Sequence, residues 1–215
     1  MNRITCFFIS VLFLLLATSC NDVKLAQALD GRWEAKYVQS YSDGEKDTIE
    51  QIMTFIYDED ESDYDGVFCE ELYCKTNELD DDDYTYSFSY RSTVTGTYEV
   101  LAGDLYLDYD LSSLEITLDA KDINLKPKGL DAAWNMLGQS FYSYLNNSES
   151  IESSLAKELK KEIYKSQFEI YQYNSSEDVC NPDLTIEENV MSYNTESGKI
   201  RYKRDLDYDS ADDLY

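Results

Sequence analysis

Histidine is absent from all 215 residues. That absence removes Ser-His-Asp and Cys-His catalysis, every histidine-ligated metal site, and the side chain that most often serves as general base near neutral pH. Proline occurs only at Pro127 and Pro182. Positive charge is scarce, with 18 Lys and Arg against 44 Asp and Glu and a net charge of −26. So acidic a chain repels nucleic-acid phosphates, and no nucleic acid is expected among its partners. Carboxylates are so common that no pair stands out as catalytic. We therefore expect no catalytic residue, no cofactor and no enzyme activity. What the chain has in abundance is tyrosine, 20 in all. That is too much aromatic surface for a disordered acidic tail, and the length fits one domain with a full core, or a domain plus an insertion.

The first residues carry a short polar, basic start at Asn2 and Arg3, followed by an apolar run over 4–17. A membrane span needs about 20 apolar residues, so this run suits the core of an export signal better. Ala17, Thr18 and Ser19 then lead into Cys20. The arrangement resembles the lipobox of bacterial lipoprotein signal peptides, with Ala17 where leucine is preferred and Leu16 one residue further back. The resemblance implies removal of residues 1–19 and lipidation of Cys20. Residues 20–30 are then a lipidated tether, with Leu25 and Leu29 four apart. The expected location is the cell envelope, on the outer membrane through the anchor. Two or more acyl chains hold a protein stably, whereas one holds it marginally.

From residue 31 to about 118 the pattern has a period of two, broken by turn residues, as in antiparallel strands. The runs are 32–41, 48–57, 67–73, 84–91, 97–101, 105–109 and 114–118, with Ser42-Asp43-Gly44 as a hairpin signal. Tyr84, Tyr86, Phe88 and Tyr90 share one strand face. The period then becomes helical over about 128–173. Leu130, Ala133, Trp134, Leu137, Phe141 and Tyr144 mark a first helix. Ile151, Leu155, Leu159 and Ile163 mark a second, with Asn146 and Glu149 as its starting residues. Lys157, Lys160, Lys161 and Lys165 form a solvated face on the second helix, or a docking face for acidic surface. Strands return over 184–193 and 199–204, where Lys199, Arg201 and Lys203 share a face. Residues 207–215 read as an acidic tail. The fold class is mainly β, an antiparallel up-and-down barrel or a sandwich, over 31–206 with a two-helix insertion before the last strands.

Leu29-Asp30-Gly31-Arg32-Trp33 at the head of this pattern resembles the start of lipocalins, which carry Gly-x-Trp on the first strand. The resemblance implies that Trp33 closes one end of a barrel and that a basic residue of the last strand, Arg201 or Arg204, packs on its ring. The closing segment 184–204 is similar to the final hairpin of lipocalin-like domains in envelope lipoproteins of Gram-negative bacteria. The Thr-Asp-Tyr signature of typical lipocalins is missing. The implied function is capture of a small hydrophobic ligand. The alternative is an interaction module with a filled barrel that meets another envelope protein.

Residues expected to line such a cavity are Tyr37, Tyr84, Tyr86, Phe88, Tyr90 and Tyr98, since a tyrosine ring offers apolar area and its hydroxyl can orient a polar group. Cys69, Cys74 and Cys180 are candidates for a disulfide in an oxidising compartment. On one continuous strand Cys69 and Cys74 lie about 16 Å apart, beyond the reach of a disulfide. They pair only across a turn; otherwise one pairs with Cys180. The acidic stretch 61–66 approaches a calcium loop but has Glu61 first and Leu72 twelfth, so no metal site is expected. Asp47-Thr48-Ile49 and Asp209-Ser210-Ala211 resemble the short O-glycan acceptor of some Gram-negative envelopes. The anchor is directly testable: Cys20→Ala should leave an unacylated precursor, and mass spectrometry of the wild type should show the mature chain starting at an acylated Cys20.

Overall fold

The computed structural model describes residues 21–41, 46–57, 65–146, 150–176, 179–195 and 198–208. The signal, Cys20, most of the acidic loop after residue 57, the 42–44 turn and the tail beyond 208 lie outside them. Ten antiparallel strands form one sheet: β1 (Gly31–Ser40), β2 (Lys46–Tyr57), β3 (Asp65–Thr76), β4 (Leu79–Asp80), β5 (Tyr84–Leu101), β6 (Asp104–Thr117), β7 (Ile123–Pro127), β8 (Thr185–Glu187), β9 (Val190–Thr195) and β10 (Gly198–Arg204). The path runs β4-β5-β3-β2-β1-β10-β9-β8, and β6 and β7 pair with the free edge of β5. Helix α1 covers residues 21–29, and α2 (Leu130–Asn146) and α3 (Ile151–Asn174) separate β7 from β8. The mainly β, antiparallel class with two helices before the last strands is therefore as expected.

The closed barrel is not observed. No strand ladder joins β6 to β8. The gap is crossed by the chain at 181–184: Asn181 exchanges backbone bonds of 2.8 and 3.0 Å with Leu105, and the Leu184 N–H donates to Gly103 at 3.0 Å. The Asn194 N–H in turn donates to Pro182 at 2.9 Å, tying that segment to β9. A proline and a left-handed Asp183 (φ 58°) keep the segment from being a strand.

Curling of the sheet is built in by glycine. β5 is one strand of 18 residues, where the glycine at 96 predicts a break. Gly96 sits opposite Phe68 on β3, and Gly66 sits opposite Tyr98. A Cβ at Gly96 would lie 2.1 Å from the Asp108 carbonyl oxygen and 2.8 Å from the Phe68 ring; one at Gly66 would lie 2.3 Å from the Ile56 carbonyl oxygen. Each aromatic ring covers the glycine across from it, which lets the strands bend closely without opening a void. The even-numbered residues of β5 keep one face inward along its whole length, from Phe88 through Val94 and Tyr98 to Val100. Val94, Tyr98 and Val100 pack with Met53, Phe55, Phe68, Leu105, Met191 and Tyr202 in the main core, and Phe88 lies in a second one. Tyr98 meets Phe55 edge-on at 5.1 Å.

One end of this core is closed by α1, which corrects the tether reading. Asp22, Ala26 and Leu29 face inward at helical spacing, and Ala26 and Leu29 are fully buried. The Asp22 carboxylate accepts the Ala102 and Gly103 N–H groups of the β5–β6 hairpin at 3.0 and 2.9 Å. At the other end of the helix the last carbonyls need donors. The Trp33 indole N–H donates to Leu29 O at 2.6 Å, and the Arg204 guanidinium donates to Ala28 O at 2.5 Å. Gly31, at φ 116°, reverses the chain from helix into β1.

Two helix readings also change. The stripe expected to pack α2 is largely exposed: Leu130 79%, Trp134 70%, Leu137 62% and Phe141 65%. Its inward side is Ala132, Ala133 and Met136, so small residues decide the packing. α3 is capped by Ser150, whose hydroxyl accepts the Ser153 N–H at 3.1 Å; the side chains expected at 146 and 149 lie outside what the structure describes. Its lysines are exposed, and its apolar side divides between two cores: Tyr171 joins the main one, while Ala156, Leu155 and Leu159 cover Phe88, Leu118 and Ile123. Leu29→Ala should therefore cost about 2–5 kcal/mol and Trp33→Ala about 3–5 kcal/mol. Urea unfolding of the soluble chain without the signal checks both; a free tether would leave Leu29→Ala silent.

Candidate ligand-binding site

Between the far ends of β1–β3, the β9–β10 hairpin and the C-terminal half of α3 lies a cavity of about 1110 Å³. Its floor is polar although buried. Glu70 points inward from β3 because Phe68, Glu70, Leu72 and Cys74 alternate on one face, and it is only 3% exposed. Tyr109 from β6 donates to one carboxylate oxygen at 2.9 Å. Gln51 from β2 and Tyr171 from α3 donate to the other at 2.9 and 3.2 Å. The Gln51 carbonyl oxygen accepts from Tyr202 at 2.9 Å. Tyr193 and Tyr202 lie 2.8 Å apart. Since Tyr202 gives its proton to Gln51, Tyr193 donates to Tyr202. Tyr37 also donates to the Gln51 oxygen, at 3.4 Å.

The order of donors is thus one-way, Tyr193 to Tyr202 to Gln51 to Glu70, with Tyr109 and Tyr171 arriving from the other side. Three bonds occupy three of the roughly four lone-pair sites of a carboxylate. Burial is the main influence on Glu70 and pushes its carboxyl above the usual range, while the three donors pull it down. No cationic side chain is among the groups that act on it. Burial likewise pushes the Tyr37 phenol up to about 12 and the Cys74 thiol up to about 11, so both stay protonated at neutral pH.

The candidate residues fall into distinct places. Trp33 is fully buried and Arg204, directly opposite it on β10, stacks 4.4 Å above its ring. Arg201 faces outward, one strand face away. Tyr37 and Tyr90 line the cavity, and Gln167 on α3 donates to the Tyr90 hydroxyl at 3.4 Å. Tyr86 and Phe88 stack at 6.4 Å in the second core under α3 instead. Tyr84 sits beyond them, opposite Pro127. Tyr98 belongs to the closed-end core. Of the four residues expected to share a face of β5, Tyr86, Phe88 and Tyr90 pack under α3, and Tyr90 alone reaches the cavity. A separate cleft of about 440 Å³, beside Asp65, Glu99 and Ser175, includes no residue of the Glu70 network.

Cys69, Cys74 and Cys180 are free thiols. Cys69 and Cys74 lie on one unbroken strand with Cys74 inward and Cys69 on the opposite face, so no turn brings them together. Cys180 sits beside Asp104 on the outer side of β6. The expected disulfide is therefore not formed. Among the described residues no group of His, Cys, Asp and Glu side chains could hold a metal ion, and no helix is long and apolar enough to cross a membrane.

Sequence reasoning missed Glu70, Gln51, Tyr171, Tyr193 and Tyr202, whereas Tyr109 follows from the alternation of its strand. The signal for Glu70 was a charged residue on the apolar face of an alternating strand; the others became visible only once β6, α3 and β10 met. The chain matches no protein-family model and no curated protein sequence.

The carboxyl of Glu70 holds its proton more tightly folded than unfolded. Its contribution to stability is therefore full below the ordinary glutamate range and is lost as pH rises through the raised folded value. Glu70→Gln removes that loss. Its melting temperature relative to wild type should rise as pH is raised above the ordinary glutamate range, as followed by circular dichroism; a pH-independent difference would show that burial does not govern Glu70.

Proposed function

We propose that the chain is a lipid-anchored envelope lipoprotein of the outer membrane whose lipocalin-like domain binds a small hydrophobic or aromatic ligand, and that it is not an enzyme. The observation that carries this reading is the tyrosine-walled cavity of about 1110 Å³, at the end of the sheet away from the Trp33–Arg204 pair. Ligand sites are concave, mostly apolar, and carry a few fixed polar groups. Here Tyr37, Tyr90 and Ile49 supply apolar wall, and Glu70 and Gln51 supply the polar floor. We read the curled sheet as an incompletely closed lipocalin-like barrel. The meander from β1 to β6, the Trp–Arg closure and the backbone bonds at 181–184 support that reading. Cys20 stands immediately before α1, so lipidation there would hold the closed end toward the membrane and leave the cavity facing away.

A second reading rests on a different observation. The exposed stripe of Leu130, Trp134, Leu137 and Phe141 on α2 is an apolar surface of the kind that meets a protein partner. In that case the chain acts as an interaction module and the cavity is incidental.

The two separate by experiment. A hydrophobic ligand from a thermal-shift screen should raise the melting temperature with concentration. Tyr37→Ala and Tyr90→Ala should weaken its binding. Phe88→Ala should lower stability by about 3–5 kcal/mol and leave affinity unchanged among the molecules still folded. A screen of fatty acids, bile acids, haem and aromatic metabolites with no shift would leave the α2 reading.

A further inference from the structure

We infer that the ligand bound in this cavity is an organic amine, held in its protonated form with its ammonium group on Glu70 and its apolar body among the tyrosine rings. The inference rests on the ligand-binding reading above and names the chemistry that reading leaves open.

Three features carry it. First, Glu70 is a buried carboxylate at a cavity wall with neutral partners only, Gln51, Tyr109 and Tyr171. Neutral donors compensate a buried negative charge only in part, and a cation within reach completes it. Three bonds leave about one lone-pair site on the carboxylate. A single N⁺–H donor can use it, whereas an anionic ligand would meet repulsion.

Second, the lining offers nothing to an anion. The border cations Lys36, Lys199 and Arg201 are exposed on the outer faces of their strands, and Lys36 is engaged with Glu50 at 3.3 Å. Fatty acids and bile acids would bring their carboxylates toward Glu70 with no inward-facing cation to receive them. Third, the wall favours positive charge. Tyr37, Tyr90, Tyr109, Tyr171 and Tyr193 all border the cavity, and a cation over such a face gains about 0.5–2 kcal/mol. The net charge of −26 adds a field that draws cations to the mouth.

The one-way donor chain gives the site its rigidity. The Tyr109, Tyr171 and Tyr202 hydroxyls already donate to Glu70 or Gln51, and Tyr193 donates to Tyr202, so none of these four offers a free proton to a ligand. The floor is therefore preset as an acceptor, and recognition of an ammonium needs no rotation of a buried phenol.

The test uses three probes of one shape: tryptamine, its alcohol analogue tryptophol, and indole-3-propionate. Binding to the chain without its signal is followed by titration calorimetry at pH 7. Tryptamine should bind about ten- to a hundredfold tighter than tryptophol, the size of one charge-assisted hydrogen bond, with indole-3-propionate weakest. In Glu70→Gln, which keeps the side-chain shape, the preference for tryptamine over tryptophol should vanish. The comparison of probes on wild-type protein stands even if that variant does not fold. Equal binding of tryptamine and tryptophol overturns the amine inference and leaves the hydrophobic-ligand reading intact. A preference that persists in Glu70→Gln assigns it to the overall charge and also overturns the inference. Binding of none of the three overturns the inference, and the broader screen above then decides the ligand reading separately.

Discussion

The pairing of Trp33 with Arg204 joins the two ends of the folded chain. The residues stand opposite each other on β1 and β10, and their side chains stack. The same two side chains give N–H donors to the last carbonyls of α1, which buries Leu29 against the core. One contact thus registers the final strand against the first, terminates the N-terminal helix and seals one end of the curled sheet. A positive guanidinium at a helix C-terminus also meets the negative end of the helix dipole. With that end closed, the inward faces of β3, β6 and β10 converge, and the cavity of about 1110 Å³ lies at the opposite end.

The convergence explains why a carboxylate can sit in the interior. Burying an isolated charge is costly, and removing a single partner of such a group is costlier than losing an ordinary hydrogen bond. Glu70 is tolerated because Gln51, Tyr109 and Tyr171 reach it from three different elements. The network therefore ties β2, β3, β6 and α3 at the place where no strand ladder closes the sheet. Tyr109 also packs 4.6 Å from Tyr171 and edge-on to Phe68 at 5.1 Å, so its hydroxyl is held by ring contacts. Tyrosine serves both needs at once, which accounts for its abundance better than apolar packing alone.

Much of this was legible along the chain where the information is local. β1 and β2 follow from alternation, and Trp33 follows from the turn before it. The choice between Arg201 and Arg204 was readable from parity, because Arg201 shares a face with Lys199 and Lys203. α1 was harder to see: a nine-residue stretch next to a signal looks like a tether, although Leu25, Ala26 and Leu29 already mark an inward side. Gly96 predicted a break because a glycine in a strand is ambiguous; its purpose depends on Phe68, 28 positions earlier. The exposed α2 stripe shows the opposite failure, where a correct helical period names the wrong face. The Glu70 network lay beyond local reading because its donors are spread from Gln51 to Tyr202.

The central claim we propose is that the tyrosine-walled cavity holds a small molecule. Native mass spectrometry of the full-length protein purified from membranes tests it most directly. The account predicts the acylated polypeptide plus one small molecule, with the extra mass reduced in Tyr37→Ala. Acylated polypeptide alone, both as purified and after incubation with an extract of the envelope, would contradict it.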